Sequence, residues 1–204
     1  MIDYLITQLG SNYKVITKGI NRDTIEVYQK INDEINMENY FKINYIENKW
    51  DLLHGQRDKL FELGNFEKFK VGIFALYLAT LSNFEGSSID NIVKTELRSL
   101  TDDLNSANNT MRKFISSNYY SFYGNAKGSI NLETASGNYN AYYLSLEGQK
   151  IPIISNRKAP SIFVVMYTYA VKLKQFEEIL PKWEEEIDIT ITDKEKLKRV
   201  FLGK

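Results

Sequence analysis

Residues 93–123, VKTELRSLTDDLNSANNTMRKFISSNYYSFY, contain the strongest periodic pattern of the chain. Apolar residues recur there at alternating steps of four and three, at Val93, Leu97, Leu100, Leu104, Ala107, Met111 and Phe114. This spacing keeps an apolar seam on one side of a helix over several turns. It predicts one long heptad helix over Ile89–Ser116, with Ser88 as its N-cap.

The pattern changes directly after this helix. Glycines at positions 124, 128, 137 and 148 divide the following segment into short tracts. Apolar and polar residues alternate in two of these tracts, around Ile130–Leu132 and Tyr142–Leu146, which is typical of strands. The segment 118–156 is therefore predicted to form a small antiparallel sheet or pair of hairpins, with Pro152 on an edge strand.

Most of the rest of the chain is interpreted as helical, apart from Tyr13–Ile20, which is assigned as a short strand or an irregular segment, and Ile187–Ile191, which could be a short strand. Helical spacing is recognised from Asp23 to Ile35, and a second, Gly55-interrupted segment from Met37 to Leu63 is assigned as one bent helix or two. Phe66–Asn83 and Ser161–Leu180 are so apolar that they predict buried helices, and Gly72 would allow a close neighbour. Thr192-Asp193-Lys194-Glu195 matches a capping box that opens a last helix, Asp193–Leu202.

These assignments predict an α+β fold that is predominantly helical. We expect a helical bundle with one long heptad helix and a small antiparallel β-hairpin or sheet insertion. The chain is expected to form a single domain over 1–204, with a helical core at 1–117 and 160–204 and a β-rich insertion at 118–156.

Composition narrows the possible functions. The 204 residues include 26 Lys and Arg and 26 Asp and Glu, so the formal net charge is zero and gives no long-range attraction to phosphate. Cysteine is absent, which excludes disulfides and thiolate chemistry. No signal peptide and no apolar run of about 20 residues is recognised, so we expect a cytoplasmic or virion protein, neither secreted nor membrane-spanning.

Candidates for chemistry are few. His54, the single histidine, has Asp58 four residues later as a possible orienting carboxylate, but a local hydrogen bond is the ordinary role of such a residue. Gly124–Ser129 superficially resembles a phosphate loop, yet its Lys precedes the last Gly, so a hairpin turn is expected. Neighbouring acids such as Asp102 and Asp103 point in different directions on a helix. We therefore predict no catalytic residue, no metal site and no cofactor.

A tyrosine-rich tract is the most function-like feature that remains. The candidate interface residues are Tyr119, Tyr120, Tyr123, Tyr139, Tyr142, Tyr143, Arg157 and Lys158. Tyrosine buries a large area and keeps a polar tip, which favours protein interfaces. Two alternatives stay open: aromatic residues also suit strands that pack on a core, and tyrosines near basic residues can stack nucleic-acid bases.

Together these features predict a non-enzymatic structural or assembly protein that contacts proteins, including copies of itself. Abundant Asn, Ile and Lys fit an AT-rich genome and, by analogy of architecture, an oligomeric phage virion part such as a head–tail connector or ring subunit. The alternative is a small phage or plasmid protein that inhibits or regulates a host macromolecule. An enzyme that uses dispersed carboxylates is the third hypothesis. Nucleic acid is possible but not favoured as a partner.

Overall fold

Two β-sheets, each with its own helices, make up the protein. The computed structural model describes residues 1–21, 23–85 and 90–204. Its helices are α1 (Ile2–Leu9), α2 (Phe69–Phe84), α3 (Asn91–Arg98), α4 (Leu104–Arg112), α5 (Ser161–Glu184) and α6 (Ile191–Leu202). Its strands are β1 (Tyr13–Lys18), β2 (Thr24–Ile31), β3 (Glu34–Ile46), β4 (Lys49–Gln56), β5 (Lys59–Phe66), β6 (Tyr120–Ser121), β7 (Ser129–Ala135), β8 (Asn138–Leu144) and β9 (Lys150–Arg157).

The chain divides into two compact units. The first comprises Met1–Gly86 and Pro181–Gly203, and the second comprises Ser87–Leu180 with Lys204. Whether the units form one domain stays a prediction. In the ranges 1–21, 23–85 and 90–204, no helix is both long and apolar enough to cross a membrane.

The first unit is built on a five-stranded antiparallel sheet in the order β1-β2-β3-β4-β5. The strands follow one another as a meander, and two-residue turns join β2 to β3, β3 to β4 and β4 to β5. Both central residues of each turn have positive φ, at Asn32-Asp33, Glu47-Asn48 and Arg57-Asp58. Such turns match the right-handed twist of the strands that they connect.

Helix α2 covers one face of this sheet. It is apolar on all sides, with ten consecutive buried residues from Val71 to Thr80, because it packs against the sheet, α1 and α6. Gly72 allows close approach, as predicted: a Cβ added there would lie 3.1 Å from the Cβ of Trp50 on β4. Fully buried Trp183, at the end of α5, stacks on Phe74 of α2 with ring centroids 4.5 Å apart.

The second unit contains a four-stranded mixed sheet in the order β6-β7-β8-β9. Strand β6 pairs in parallel with β7, and the other pairs are antiparallel. Strand β9, with Pro152, lies at an edge, as predicted. The side-chain amide of buried Asn131 donates to the Ala126 carbonyl at 2.8 Å and accepts from the Ala126 N–H at 2.8 Å, which ties the loop before β7 to the sheet.

The prediction of a predominantly helical bundle with a small β insertion is wrong. Residues 24–66, interpreted as helical, form β2–β5. Burial alternates on β3, where Phe41 and Ile43 are buried and Lys42 between them is not, and this period of two was mistaken for a helical one. On β2, Ile25 and Val27 point to the same face, but both faces are buried there. The three two-residue turns between these strands did not indicate hairpins in the sequence, because none of them contains the glycine that is typical of such turns.

The predicted long heptad helix is also wrong. Two shorter helices, α3 and α4, occupy the segment, separated by Ser99–Asp103. The carboxylate of Asp103 accepts hydrogen bonds from the backbone N–H groups of Asn105 and Ser106, so it caps a new helix in the middle of the apolar seam. Asp90 caps α3, whereas the predicted cap Ser88 and the first residue, Ile89, lie outside the described residues.

Three helical predictions agree with the structure. Helices α2 and α5 occupy the two segments predicted as buried helices, and α6 occupies the predicted last segment. The capping box of α6 is shifted, however. Thr190 and Asp193 form it, because the side chain of each accepts a hydrogen bond from the backbone N–H of the other.

The packing around Trp183 gives a first testable prediction. Trp183→Ala removes a fully buried ring that contacts Tyr4, Phe74 and Tyr77, and we expect it to lower the free energy of unfolding by about 3–5 kcal/mol. Trp183→Phe is the control, because it retains an aromatic ring in the same place. Chemical denaturation followed by circular dichroism measures both losses, and equal losses would contradict the packing role of the ring.

Candidate functional site

The predicted tyrosine surface does not form one exposed patch. Tyr120, Tyr139, Tyr142 and Tyr143 are buried, Tyr119 is half-buried, and Tyr123, Arg157 and Lys158 are exposed. The hydroxyl of Tyr139 donates to Asp102 Oδ1 at 2.6 Å, and this hydrogen bond together with burial raises the pKa of Tyr139 to about 12. Only three of the eight candidates are thus freely accessible in the chain. Their role at an interface stays a prediction.

The histidine that was considered for catalysis lies within an aromatic cluster. His54 is on β4, where its ring stacks on that of Phe41 with centroids 4.5 Å apart. Its Nε2 atom lies 2.6 Å from Asn39 Oδ1, the distance of a hydrogen bond in which the ring N–H donates. An amide therefore holds the ring, and not the carboxylate of Asp58 that was considered as a possible orienting group. Burial lowers the pKa of His54, which favours the neutral ring near pH 7.

The other candidates for chemistry have structural roles. Gly124–Ser129 belongs to the connection between the parallel strands β6 and β7, so the expected hairpin turn is wrong. Asp102 accepts from Tyr139, and Asp103 caps α4. Within the described part of the chain, no group of three or more Asp, Glu or His side chains is placed to hold a metal ion.

The most distinctive surface feature lies instead at β5, the edge strand of the first sheet. Leu60 and Phe61 are neighbours on this strand and therefore point to opposite faces of the sheet. Leu60 is 51% exposed and Phe61 is 47% exposed. The flanking Lys59 and Glu62 are exposed as well. We call the exposed residues Lys59–Glu62 the β5 edge.

On the face that α2 covers, a row of rings leads from the core to the β5 edge. Phe84 of α2 contacts Phe41 of β3 edge-on at 5.5 Å between centroids. Phe41 pairs across the strands with His54, and His54 pairs with Phe61. Exposure increases along the row, from 2% at Phe41 to about half at Phe61. The aromatic core therefore continues to the edge of the sheet, where the side chain of Phe61 is about half exposed.

A second row lies on the opposite face. Tyr28 and Tyr40 stack at 5.0 Å between centroids, and Tyr40 is paired with Gly55, which is paired with Leu60. A Cβ added at Gly55 would overlap the Tyr40 ring, so the ring lies directly over the glycine. This face near the β5 edge also bounds a surface cavity of about 580 Å³, lined by Met37, Glu38, Tyr40, Arg57, Asp58, Lys59 and Leu60.

Charged groups accompany these apolar rows. On the face of Tyr40, the carboxylate of Glu26 is nearly buried and accepts a hydrogen bond from the hydroxyl of Tyr28 at 2.6 Å. The same carboxylate forms an ion pair with Lys18 of β1 at 2.7 Å. Burial and this hydrogen bond raise the pKa of Tyr28.

Arg57 lies in the turn before β5 and adopts a φ of 46°, a backbone conformation that is unusual for a residue with a long side chain.

Sequence reasoning missed the β5 edge because it assigned Leu60 and Phe61 to a helix. Two adjacent apolar residues between Lys59 and Glu62 match a helix as well as a strand over so short a stretch. A signal was present in the stretch 41–45, Phe41-Lys42-Ile43-Asn44-Tyr45, where apolar residues alternate with polar ones. Only the strand order shows that β5 is an edge.

Comparison of the chain with protein-family models, curated proteins and solved structures finds no match. The contacts of the chain itself therefore carry the functional argument.

The contact between Tyr40 and Gly55 is testable by a double-mutant cycle. We expect Gly55→Ala to lower the free energy of unfolding by about 1–3 kcal/mol, because the new methyl group displaces the ring. In a Tyr40→Ala background the same substitution should cost less than about 1 kcal/mol, since no ring lies over the glycine. Additive losses in urea denaturation would show that another contact excludes the methyl group.

His54 gives a pH-dependent prediction that no other histidine complicates. Because burial lowers its pKa, the unfolded chain binds a proton at a higher pH than the folded chain. The contribution of His54 to stability is therefore complete above about pH 7 and is lost as the pH falls through about 6.5 toward the lower pKa of the folded state. His54→Gln should flatten the dependence of the unfolding free energy on pH between 7.5 and 5.5. Identical slopes in the two proteins would contradict this.

Proposed function

We propose that the protein is a non-enzymatic assembly protein that self-associates through the β5 edge. The observation that carries the proposal is the exposure of Leu60 and Phe61 on opposite faces of one edge strand. An edge strand presents unpaired backbone N–H and C=O groups, and natural proteins usually protect such edges with charges, proline or a covering element. Here the unpaired backbone is combined with two exposed apolar side chains.

Two further features support binding over catalysis. The aromatic rows end at Leu60 and Phe61, so a partner strand placed there would extend the apolar packing on both faces of the sheet. The neutral net charge of the chain offers little electrostatic resistance to self-association. His54, the residue considered first for catalysis, is engaged with Phe41 and Asn39.

A subunit of a ring, such as a phage head–tail connector, is the specific role that we include in this proposal. Two features motivate it. The abundance of Asn, Ile and Lys fits an AT-rich genome, and an edge strand can make the same contact repeatedly from one copy to the next. The regulation of a host macromolecule through the same edge is the alternative that the sequence leaves open.

Substitution at the β5 edge tests the proposal. Leu60→Lys places a charge at the exposed apolar position, and Ile92→Lys, at a 73% exposed position on α3, is the matched control. We expect the wild type and Ile92→Lys to form a defined oligomer in light scattering after size exclusion, between about 10 and 500 μM, and Leu60→Lys to remain a monomer.

Melting temperatures confirm that each variant is folded. A wild-type protein that stays monomeric over this range contradicts the proposed self-association. An oligomer that survives Leu60→Lys shows that another surface is responsible.

A further inference from the structure

The first sheet has a second free edge, and its properties complement those of the β5 edge. Strand β1 lies at the opposite end of the strand order from β5. Its residues Lys14, Thr17 and Lys18 are exposed, while Val15 and Ile16 are half-buried. We call the exposed and half-buried residues Lys14–Lys18 the β1 edge.

The number of strands determines how two copies can meet. Because the five strands alternate in direction, β1 and β5 run the same way along the sheet. A second copy that is translated along the sheet therefore brings its β1 alongside β5 as a parallel neighbour. In this arrangement the helix-covered faces of both copies lie on the same side, and the sheet continues from one copy to the next.

We propose that the occupant of the β5 edge is the β1 edge of a second copy, in parallel pairing and in a head-to-tail contact. This inference rests on the proposed function and names the partner surface. Parallel pairing is somewhat weaker per residue than antiparallel pairing, so side-chain complementarity has to select the register.

Charge complementarity supports one register. When Leu60 is placed beside Ile16 of the second copy, Glu62 lies beside Lys18, which also pairs with Glu26 of its own copy. Asp58 belongs to the turn before β5 and has no place in this register. Pairing along the sheet shows that Ile16 and Leu60 belong to the same face, the one that carries Tyr40 and Glu26. An apolar pair thus lies next to a pair of opposite charge, an arrangement that stabilises neighbouring strands.

Other registers lose this match. A shift of one residue places the apolar side chains on the wrong faces. A shift of two residues in one direction places Lys14 beside Leu60 and Ile16 beside Glu62. A shift of two in the other direction places Lys18 beside Leu60 and Ile16 beside the turn that precedes β5. Both leave an apolar residue beside a charge, so the side chains specify a single alignment.

The symmetric alternative, in which β5 pairs with β5 of another copy, is less complementary. The two strands would be antiparallel, with a residue beside its own equivalent on the twofold axis. Centred on Leu60, this pairing places Leu60 beside its own equivalent and Glu62 opposite the turn that precedes the partner strand. Centred on Phe61, it places Leu60 beside Glu62 on both sides of the axis. Neither arrangement pairs opposite charges.

A contact between two different edges repeats, because each added copy again presents a free β5 edge and a free β1 edge. Such heterologous contacts close into rings or continue as filaments, depending on the rotation between copies. The right-handed twist between neighbouring strands supplies a rotation at each contact.

Mixing two blocked variants tests the proposal. Leu60→Lys blocks the β5 edge, and Ile16→Lys blocks the β1 edge. Light scattering after size exclusion is measured for each variant alone and for an equimolar mixture. We expect each variant alone to be a monomer and the mixture to form a heterodimer and nothing larger, since only one intact edge of each kind remains.

The outcomes separate this inference from the proposed function. If Ile16→Lys assembles like the wild type while Leu60→Lys does not, the β5 edge binds itself and the head-to-tail inference is overturned, although self-association stands. If the wild type does not assemble at all, the proposed function itself fails. If both variants are monomers and the mixture is also monomeric, the inference is overturned.

A charge exchange provides a second test if Ile16→Lys does not fold. Lys18→Glu and Glu62→Lys each place like charges together across the proposed contact, and we expect each to weaken assembly about threefold at low salt. The double variant restores opposite charges and should recover assembly. A double variant that is weaker than both single variants overturns the register.

Discussion

The first unit depends on the burial of one face of its five-stranded sheet under helix α2. A meander sheet of this kind is stable only when an element covers its apolar face. Helix α2 has little polar surface, so neither the helix nor the sheet would be stable in water alone. Gly72 lets the helix approach β4, and Trp183 packs on the helix through Phe74. This mutual burial is what allows the strands to extend beyond the covered area.

The part of the sheet that extends to β5 carries the surface that we propose for self-association. The apolar row that contains half-buried Phe84 of α2 and buried Phe41 continues through His54 and ends at Phe61. On the other face, the stacked tyrosines lead over Gly55 to Leu60. The same packing that stabilises the centre of the sheet therefore leads to an edge at which Leu60 and Phe61 are each about half exposed. The proposed interaction surface is a continuation of the core.

The second unit illustrates the opposite relation. Most of the tyrosines that the sequence offered as an interface are buried, and Tyr139 is hydrogen-bonded to Asp102. Many tyrosines in a strand-rich segment are compatible with either an interface or a core, because the tyrosine side chain is large, apolar along its ring and polar at its hydroxyl. Burial within the unit decides between these roles for each residue, and composition does not.

The sequence by itself determined the apolar helices α2 and α5, the last helix α6, the strand character of the region around 118–156, and the lack of cysteine chemistry. These follow from local properties: long apolar runs, turn residues and residue types. Only the tertiary structure decided that 24–66 forms strands, that Asp103 divides the heptad seam into two helices, and that Leu60 and Phe61 lie at an edge. Short apolar patterns fit both the helical period of 3.6 residues and the strand period of two. A capping residue such as Asp103 can start a new helix within an apolar seam. The order of strands in a sheet is set by contacts between residues far apart in the chain.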